Sequence, residues 1–551
     1  MIKTLRASTL SFAFLTLVSL PFSEAHGGGD VQPRWVRQYI SGFSPAFDMP
    51  FGMVVDASGN AHVTGGSYGP DQLPDVATIK YNSAGDTLWI RRFNGPGDNW
   101  DIGRAIAIDA LGNVYVAGET NSESTHFDFI TIKYTSSGAQ EWAVRYDGAS
   151  NSDDSPRAIA VDASGNVYVT GYSSTSATFY DYATIKYNSQ GEQQWVARYN
   201  GPGNTKDQAA GLVLDAAGNV YVTGSSGEGS PNLSDYVTVK YSPSGVEEWV
   251  ARYSDLYDYA TAIGVDGSSN VYVTGYSYHA GTLYDYATVK YSERGVQQWV
   301  RRYNGPATDD DVPHALGVDA SGNVVITGES VGPGTSTDYA TIKYSPSGAE
   351  QWVRRYDGPG ETVDVAFGLA LDQAGNVYVT GGSRGADLVD DFATLKYSPS
   401  GVEQWSVRSE TQGEVYDLGA AVGVDGSGDV YVTGSSSRLG GRLYTTIKYA
   451  EGSIVAVGNE RGPGGGYRLE QYGPNPFHQK AVVRYALGAR GHTVLNVFNV
   501  LGRRVATLVD GVRDAGYGTV EWDATGMPSG VYFFRLQAGP FVETTRMVLL
   551  R

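Results

Sequence analysis

No cysteine occurs anywhere in the 551 residues. That absence excludes disulfides, thiolate metal sites, cysteine nucleophiles and a lipid-modified N-terminal cysteine, so stability must come from packing. Histidine is scarce: the seven, at positions 26, 62, 126, 279, 314, 478 and 492, show no H-E-x-x-H spacing. After residue 25 no apolar run approaches the ~20 residues that a membrane-spanning helix needs. Positive charge is in deficit, with 40 Lys and Arg against 59 Asp and Glu and a net charge of −19. Segment 467–551 carries ten basic and six acidic residues, which leaves about −23 for everything before it. So acidic a body repels phosphates and argues against nucleic acid; it suits cations or basic partners.

The one long apolar run lies at the start. Lys3 and Arg6 precede Leu10–Phe22, and Ser23-Glu-Ala25 follows as a small-x-small cleavage site. Residues 1–25 therefore read as a secretory signal peptide, with export into the periplasm and no membrane span in the mature protein.

What is abundant is repetition. A V/L/I-D-x-x-(G)-N turn recurs with its aspartate at Asp56, Asp109, Asp162, Asp215, Asp266, Asp319, Asp372 and Asp425, in steps of 53, 53, 53, 51, 53, 53 and 53. Each copy holds four strand-like runs, a to d, illustrated by Ala366–Asp372, Asn376–Gly381, Asp391–Tyr397 and Gln404–Arg408. Four short antiparallel strands in a period of this size are the pattern of a β-propeller blade. The repeat is also permuted. Arg34–Tyr39, a d-type tryptophan segment, precedes every other strand, and the last copy stops at Tyr444–Tyr449 without one. The expected fold is all-β: an eight-bladed propeller over 26–450 whose last blade is closed by the N-terminal strand, leaving no open sheet edge.

Gly462-Pro-Gly-Gly-Gly466 marks a Gly-rich linker over 451–466. Beyond it the repeat is absent. The runs Ala481–Tyr485, Thr493–Phe498, Thr519–Trp522 and Val531–Leu536 predict a small, Ig-like β-sandwich over 467–551.

Two resemblances follow from these residues. Leu469-Glu-Gln-Tyr-Gly-Pro-Asn-Pro-Phe477, Val497-Phe-Asn-Val-Leu-Gly502, Trp522–Tyr532 and the final Met547-Val-Leu-Leu-Arg551 resemble the type A C-terminal sorting domain of type IX secretion, the Por system. Its sorting motif falls on Pro474, Asn475, Pro476 and Phe477, with Gly473 in the place where that family usually has tyrosine. The resemblance implies the type IX machinery as partner of 467–551, passage through the outer membrane, removal of this domain, and release or attachment at the cell surface. Ala158–Gly171 with Asp181–Tyr187 resembles the SBBP β-propeller repeat. That family's name implies seven blades, whereas this chain spells eight, and it assigns no chemistry to particular residues.

Most repeated residues are expected to serve the fold. Tryptophans at 35, 89, 142, 195, 249, 299, 352 and 405 occupy one place in every copy, as core or edge packing would require. Asp of the V-D turn suits a hydrogen bond to the backbone two residues on, with Gly at φ > 0 before strand b. Arg92, Arg145, Arg198, Arg252, Arg302, Arg355 and Arg408 on strand d are expected to pair with Asp75, Asp128, Asp181, Asp235, Asp285, Asp338 and Asp391 on strand c. The two exceptions, Gln38 and Leu443, then fall in the same blade.

Three sets of residues stand as candidate sites. Eight residues before each turn aspartate is another acid: Asp48, Asp101, Asp154, Asp207, Asp258, Asp311, Asp364 and Asp417. Each either caps its own d–a loop, or together they form an acidic funnel at the channel mouth that concentrates cations such as Ca2+ or docks a basic partner. Loop acids Asp98, Asp153, Asp309, Asp310 and Glu361 would add to that field. At the start of strand a, Arg104, Arg157 and His314 are channel-mouth candidates for holding an anionic group or for neutralising the acids. Recognition of a protein, glycan or cation is expected on the variable d–a and b–c loops. The sequence singles out no catalytic group: the matches Gly65–Gly69 and Gly381–Gly385 to G-x-S-x-G lack a strand-to-helix elbow. An exported, non-enzymatic binding or scaffold module is the expected function. The alternative is an extracellular polysaccharide hydrolase or lyase using acids at the channel mouth.

Overall fold

The computed structural model describes residues 31–550 apart from 44–45, 98, 122–125, 149–151, 176–177, 228, 230–232, 333–335, 360–361, 386–387, 410–415, 439–440, 451–467, 472–476, 478, 488–489, 501, 514–515 and 540. The expected signal peptide, the Gly-rich linker, Asp98, Glu361, Pro474, Asn475 and Pro476 lie outside the described residues. The chain divides into two compact units, Met1–Gly452 and Ser453–Arg551. All regular structure among the described residues is β-strand, and no helix there is long and apolar enough to cross a membrane.

In the first unit each repeat folds into a four-stranded antiparallel sheet. The repeat around Asp162 supplies Asp154–Val161 (a), Val167–Thr175 (b), Thr178–Tyr187 (c) and Gln193–Tyr199 (d), hydrogen-bonded in that order. Strand b is buried from Val167 through Gly171 because both of its faces meet another sheet. Val167 and Val169 pack with Tyr115 and Phe129 of the preceding repeat. Tyr168, pointing the other way, packs with Leu212 and Val222 of the following one. Alternating Val and Tyr thus serves two cores at once, each fully buried Val contributing about 1.5–3 kcal/mol. Where strand a turns into b, Asp162 Oδ1 accepts the N–H groups of Ser164 and Asn166, both at 2.9 Å, and Gly165 sits at φ +77°. The Asx turn expected from the sequence is formed.

The ends of the unit meet. Gln32–Tyr39 pairs antiparallel with Gly441–Ala450, setting Trp35 opposite Lys448 and Gln38 opposite Thr445, so the N-terminal segment is the outer strand of the last sheet. That last sheet in turn faces the first: Tyr431 donates to the Gly59 carbonyl at 2.8 Å and Lys448 to the Ser83 carbonyl at 3.2 Å. Lys80 makes the equivalent bond to Ser136 of the next repeat. Innermost strands Met49–Val55, Asp101–Ile108, Asp154–Val161, Asp207–Leu214, Asp258–Val265, Asp311–Val318, Asp364–Leu371 and Tyr416–Val424 each touch the next, and the last touches the first. This closed circle of repeated four-stranded sheets is a multi-bladed β-propeller.

The second unit carries two antiparallel sheets over one core. Arg468–Gln471, Lys480–Leu487 and Gly516–Asp523 form one; Arg504–Arg513, Gly491–Asn499, Gly530–Ala538 and Phe541–Leu549 form the other. Val483, Tyr485 and Trp522 meet Val497, Phe534 and Met547 between them. Of the expected sorting motif, Phe477 is described. It is fully buried, lies 6.0 Å from the Trp522 ring, and donates its backbone N–H to Val548 at 2.9 Å.

Candidate binding face

Each of the eight loop acids opens, or stands immediately beside, an innermost strand, and all of them are buried, with fractional exposures of 0–1%. Their carboxylates hold the d–a loops. Asp101 Oδ2 accepts the Gly95 N–H at 2.6 Å, Asp207 that of Gly201 at 2.7 Å, and Asp364 that of Gly358 at 2.6 Å. Asp154, Asp258 and Asp311 take the N–H groups of Gly148, Asp255 and Gly305 in the same way, and Asp48 that of Ser41. The second carboxylate oxygen of Asp101, Asp207, Asp258, Asp311 and Asp364 is buried without a hydrogen-bond partner among the described residues. Burial pushes Asp101, Asp258, Asp311 and Asp364 up to about 6 against these hydrogen bonds, which pull the other way. The acids are therefore interior caps and do not stand out as a rim.

The central opening has a different lining from the funnel expected of the sequence. Its wall is aliphatic, from Val54, Ile106 and Val161 on one side to Leu212, Val265 and Leu316 on the other. Residues of the V-D end of strand a, and not the acids, face it.

Every expected strand c–strand d ion pair is present. Arg92, Arg252, Arg355 and Arg408 lie 2.7 Å from Asp75, Asp235, Asp338 and Asp391, and Arg198 and Arg302 lie 3.3 Å from Asp181 and Asp285. Arg145 reaches Asp128 at 2.5 Å. The arginine is opposite the residue two beyond the aspartate, Ala77 for Arg92, so the pair runs diagonally. Arg92 also donates to Ser67 on strand b and to Tyr39 on the neighbouring sheet, tying four strands and two blades together. Leu443, at the Asp place of the last sheet, is buried.

Two acidic groups gather more tightly. Asp128, Asp147 and Asp154, and likewise Asp338, Asp357 and Asp364, bring carboxylate oxygens within 4.8 Å of one another. In the first, Arg145 contacts both Asp128 and Asp147; in the second, Arg355 contacts Asp338. A guanidinium thus supplies the counter-charge that a Ca2+ ion would otherwise bring.

Arg104, Arg157 and His314 share an unforeseen feature. Each is the extra residue of a β-bulge, since strand register shifts between Gly103 and Ala105, Pro156 and Ala158, and Pro313 and Ala315. Arg104 and His314 each meet an acid on strand b of their own blade and a phenylalanine of the adjoining one, whereas Arg157 meets a tyrosine of its own strand b. Arg104 pairs with Glu119 at 2.8 Å and lies 4.9 Å over the Phe51 ring. Arg157 lies 5.2 Å over Tyr172, and His314 is 5.1 Å from Phe367 and 3.6 Å from Glu329. The three are not brought into one site.

The d–a and b–c segments do share a face: Ser234 bridges to Tyr257, and Tyr180 to Lys206, across adjacent blades. On that face the repeat breaks in the blade that carries Asp258. Tyr257, Tyr259, Tyr276, Tyr278 and Tyr284 occupy positions that the preceding blade fills with Lys206, Gln208, Ser225, Gly227 and Ser234. Tyr259 stacks on Tyr276 at 5.0 Å and 25°, Tyr276 meets Tyr284 edge-on at 5.3 Å, and Tyr278 meets Tyr284 and Tyr257 at 5.5 and 5.7 Å. Beside them opens a groove of about 380 Å³ with Phe179 and Tyr259 among its walls and Thr205, Lys206, Gln208 and Ser234 along its floor. The sequence reading passed over this cluster. Its signal was available as tyrosines outside the V-Y-V-T-G and D-Y-A-T-I-K-Y places.

A match to a known repeat family agrees with the repeated sheets. The SBBP β-propeller repeat model matches residues 88–124, 144–176, 194–229 and 248–281, so SBBP repeats are found in this chain. The regulatory protein FlaEY of Caulobacter vibrioides is 34% identical over 114 residues, 18% of this chain; the chain spans only 11% of that protein's length. Among solved structures, PorZ, a surface component of the type IX secretion system of Porphyromonas gingivalis, is similar at 14% identity and a TM-score of 0.38, covering 89% of this chain and 64% of its own. The β-propeller domain of the trilobed protease of Pyrococcus furiosus is similar at 8% identity and a TM-score of 0.39, covering 63% and 95%.

Proposed function

We propose that this protein is an exported, non-enzymatic binding module: an eight-bladed propeller that presents its d–a/b–c face at the cell surface or in the medium. The observation that carries the reading is how the polar groups are used. The arginines of strand d, the loop acids and the turn aspartates recur in blade after blade and are spent on one another or on backbone N–H groups. What differs between blades is concentrated on one face. Delivery follows from the signal peptide of residues 1–25 and from 467–551, an Ig-like sorting domain handed to the type IX machinery through Pro474, Asn475, Pro476 and Phe477. The mature propeller carries no membrane span of its own.

The test is secretion from a bacterium that has type IX export. The full chain is expected outside the outer membrane with 467–551 removed. Deletion of 467–551 is expected to trap a folded propeller in the periplasm. Secretion that is indifferent to this deletion would refute the delivery route, and turnover of any glycan or peptide by the secreted product would refute the non-enzymatic assignment.

A further inference from the structure

Resting on the reading of this face as the binding face, we infer that the groove between the third and fifth blades binds a glycan built of pyranose rings. The blades are counted from the one containing Asp56. A pyranose has two kinds of surface: C–H faces that pack on aromatic rings, and equatorial hydroxyls that need donors and acceptors at the ring edge. The groove offers both, separated in space. Phe179, from the third blade, is 65% exposed although it is a large apolar side chain. Tyr259, from the fifth, faces the same cavity, and Thr205, Gln208, Ser225 and Ser234 of the fourth lie between them. Aromatic walls over a hydroxyl and amide floor fit a sugar sandwiched by its faces and hydrogen-bonded along its rim.

The tyrosine wall is rigid before any ligand arrives. Tyr259 is held against Tyr276, which is braced by Tyr284, and the Tyr278 N–H donates to the Tyr257 carbonyl at 2.9 Å. Pre-ordering of this kind lowers the entropy lost on binding. Other ligand classes fit less well. A peptide added as a strand needs a free sheet edge, but here backbone is already used, with Ser234 bridged to Tyr257 and Tyr180 to Lys206. A nucleic acid would find aromatic rings but also a protein of net charge −19. Lys206 is the one basic residue among the described lining residues of the groove, and its ammonium lies 5.9 Å over the Tyr180 ring.

The experiment uses the full-length protein against an array of neutral, amino-sugar and uronate oligosaccharides, followed by titration calorimetry with the best binder. Saturable binding is expected. Phe179→Ala and Tyr259→Ala should each weaken it about tenfold, the scale of one aromatic contact, with unchanged melting temperature, and Tyr259→Phe should retain most of it. Tyr416→Ala, at the equivalent of Tyr257 in the last blade, should have no effect. Absence of glycan binding, or binding untouched by both alanine variants, overturns the groove. A protein or peptide ligand lost in Tyr416→Ala, without any glycan bound, overturns the groove while leaving the binding-module reading standing. Cleavage of a glycan that needs Phe179 and Tyr259 supports the groove and overturns the non-enzymatic reading instead.

Discussion

The indole N–H of Trp35 donates to the backbone carbonyl of Ser83 at 3.1 Å, joining the last sheet to the first. Trp89 makes the same bond to Ser136, and Trp352 to Pro399, each on the next sheet along. The ring of each tryptophan also lies over a turn glycine: a Cβ on Gly85 would come 2.7 Å from Trp35, and one on Gly138 2.7 Å from Trp89. Those glycines have φ near +85°, so side chain and backbone conformation both exclude other residues. The seam between the chain ends is thus built like every interior seam. Trp35→Ala should accordingly cost about as much as Trp142→Ala, roughly 3–5 kcal/mol each, measured by denaturant unfolding. A Trp35 variant much milder than the Trp142 one would show the N-terminal strand to be a dispensable strap.

Gln38 and Leu443 replace the arginine and aspartate in the sheet that the N-terminal strand completes. Leu443→Asp alone buries a carboxylate without its guanidinium and should cost about 3 kcal/mol or more. Adding Gln38→Arg should recover a large part, with a coupling of about 1–3 kcal/mol in a double-mutant cycle. Strict additivity of the two changes would mean that the side chains do not meet.

How much of this was legible beforehand depended on whether a residue served one neighbour or two. Val167, Tyr168 and Trp142 repeat because each packs against a neighbouring blade, so period, strand order and the clasp were all readable from spacing. In the second unit, Ala481–Tyr485 and Val531–Leu536 fall inside the observed strands Lys480–Leu487 and Gly530–Ala538. The loop acids were harder. Recurrence without exception fits a structural role by the same logic that applied to the tryptophans, but an exposure of 0–1% is a property of the d–a loop's path, which spacing does not encode. Tyr257, Tyr259 and Tyr284 were hidden by abundance: in a chain with 39 tyrosines, the informative ones are those out of phase with the repeat.

The buried acids predict a pH response. Asp101, Asp258, Asp311 and Asp364 titrate near 6 in the folded protein, above the usual 3.8 of an aspartate in the unfolded chain. Between those values the native state binds the protons more tightly, so these groups favour folding on the acid side and lose that contribution as pH rises through about 6. The double variant Asp101→Asn, Asp258→Asn should flatten the dependence of urea midpoint on pH between about 4 and 6. Added Ca2+ should leave the melting temperature unchanged at pH 7, because each carboxylate is already engaged with its loop. A rise of several degrees with Ca2+, abolished in Asp101→Asn, would return the acids to a metal-binding role.

His62 acts in the opposite sense. It stands where six of the other blades have tyrosine and one has Val325: Tyr115 donates to Asp109 at 2.9 Å and Tyr221 to Asp215 at 2.9 Å, whereas His62 Nε2 is 3.1 Å from Asp56. The ring is fully buried, and its Nδ1 has no hydrogen-bond partner among the described residues. Burial, reinforced by the nearby Lys80 ammonium, brings the imidazole down to about 4 from its usual 6.5, despite Asp56. The unfolded chain then takes up this proton first as pH falls, so the contribution of neutral His62 is complete above 6.5 and is lost between 6.5 and about 4. His62→Tyr restores the hydroxyl used in those six blades and should add about 1 kcal/mol at pH 7. Because tyrosine does not titrate in that window, the advantage should widen at pH 5. Urea unfolding of both proteins at the two pH values measures it, and a constant difference would mean that His62 titrates alike in the folded and unfolded chain.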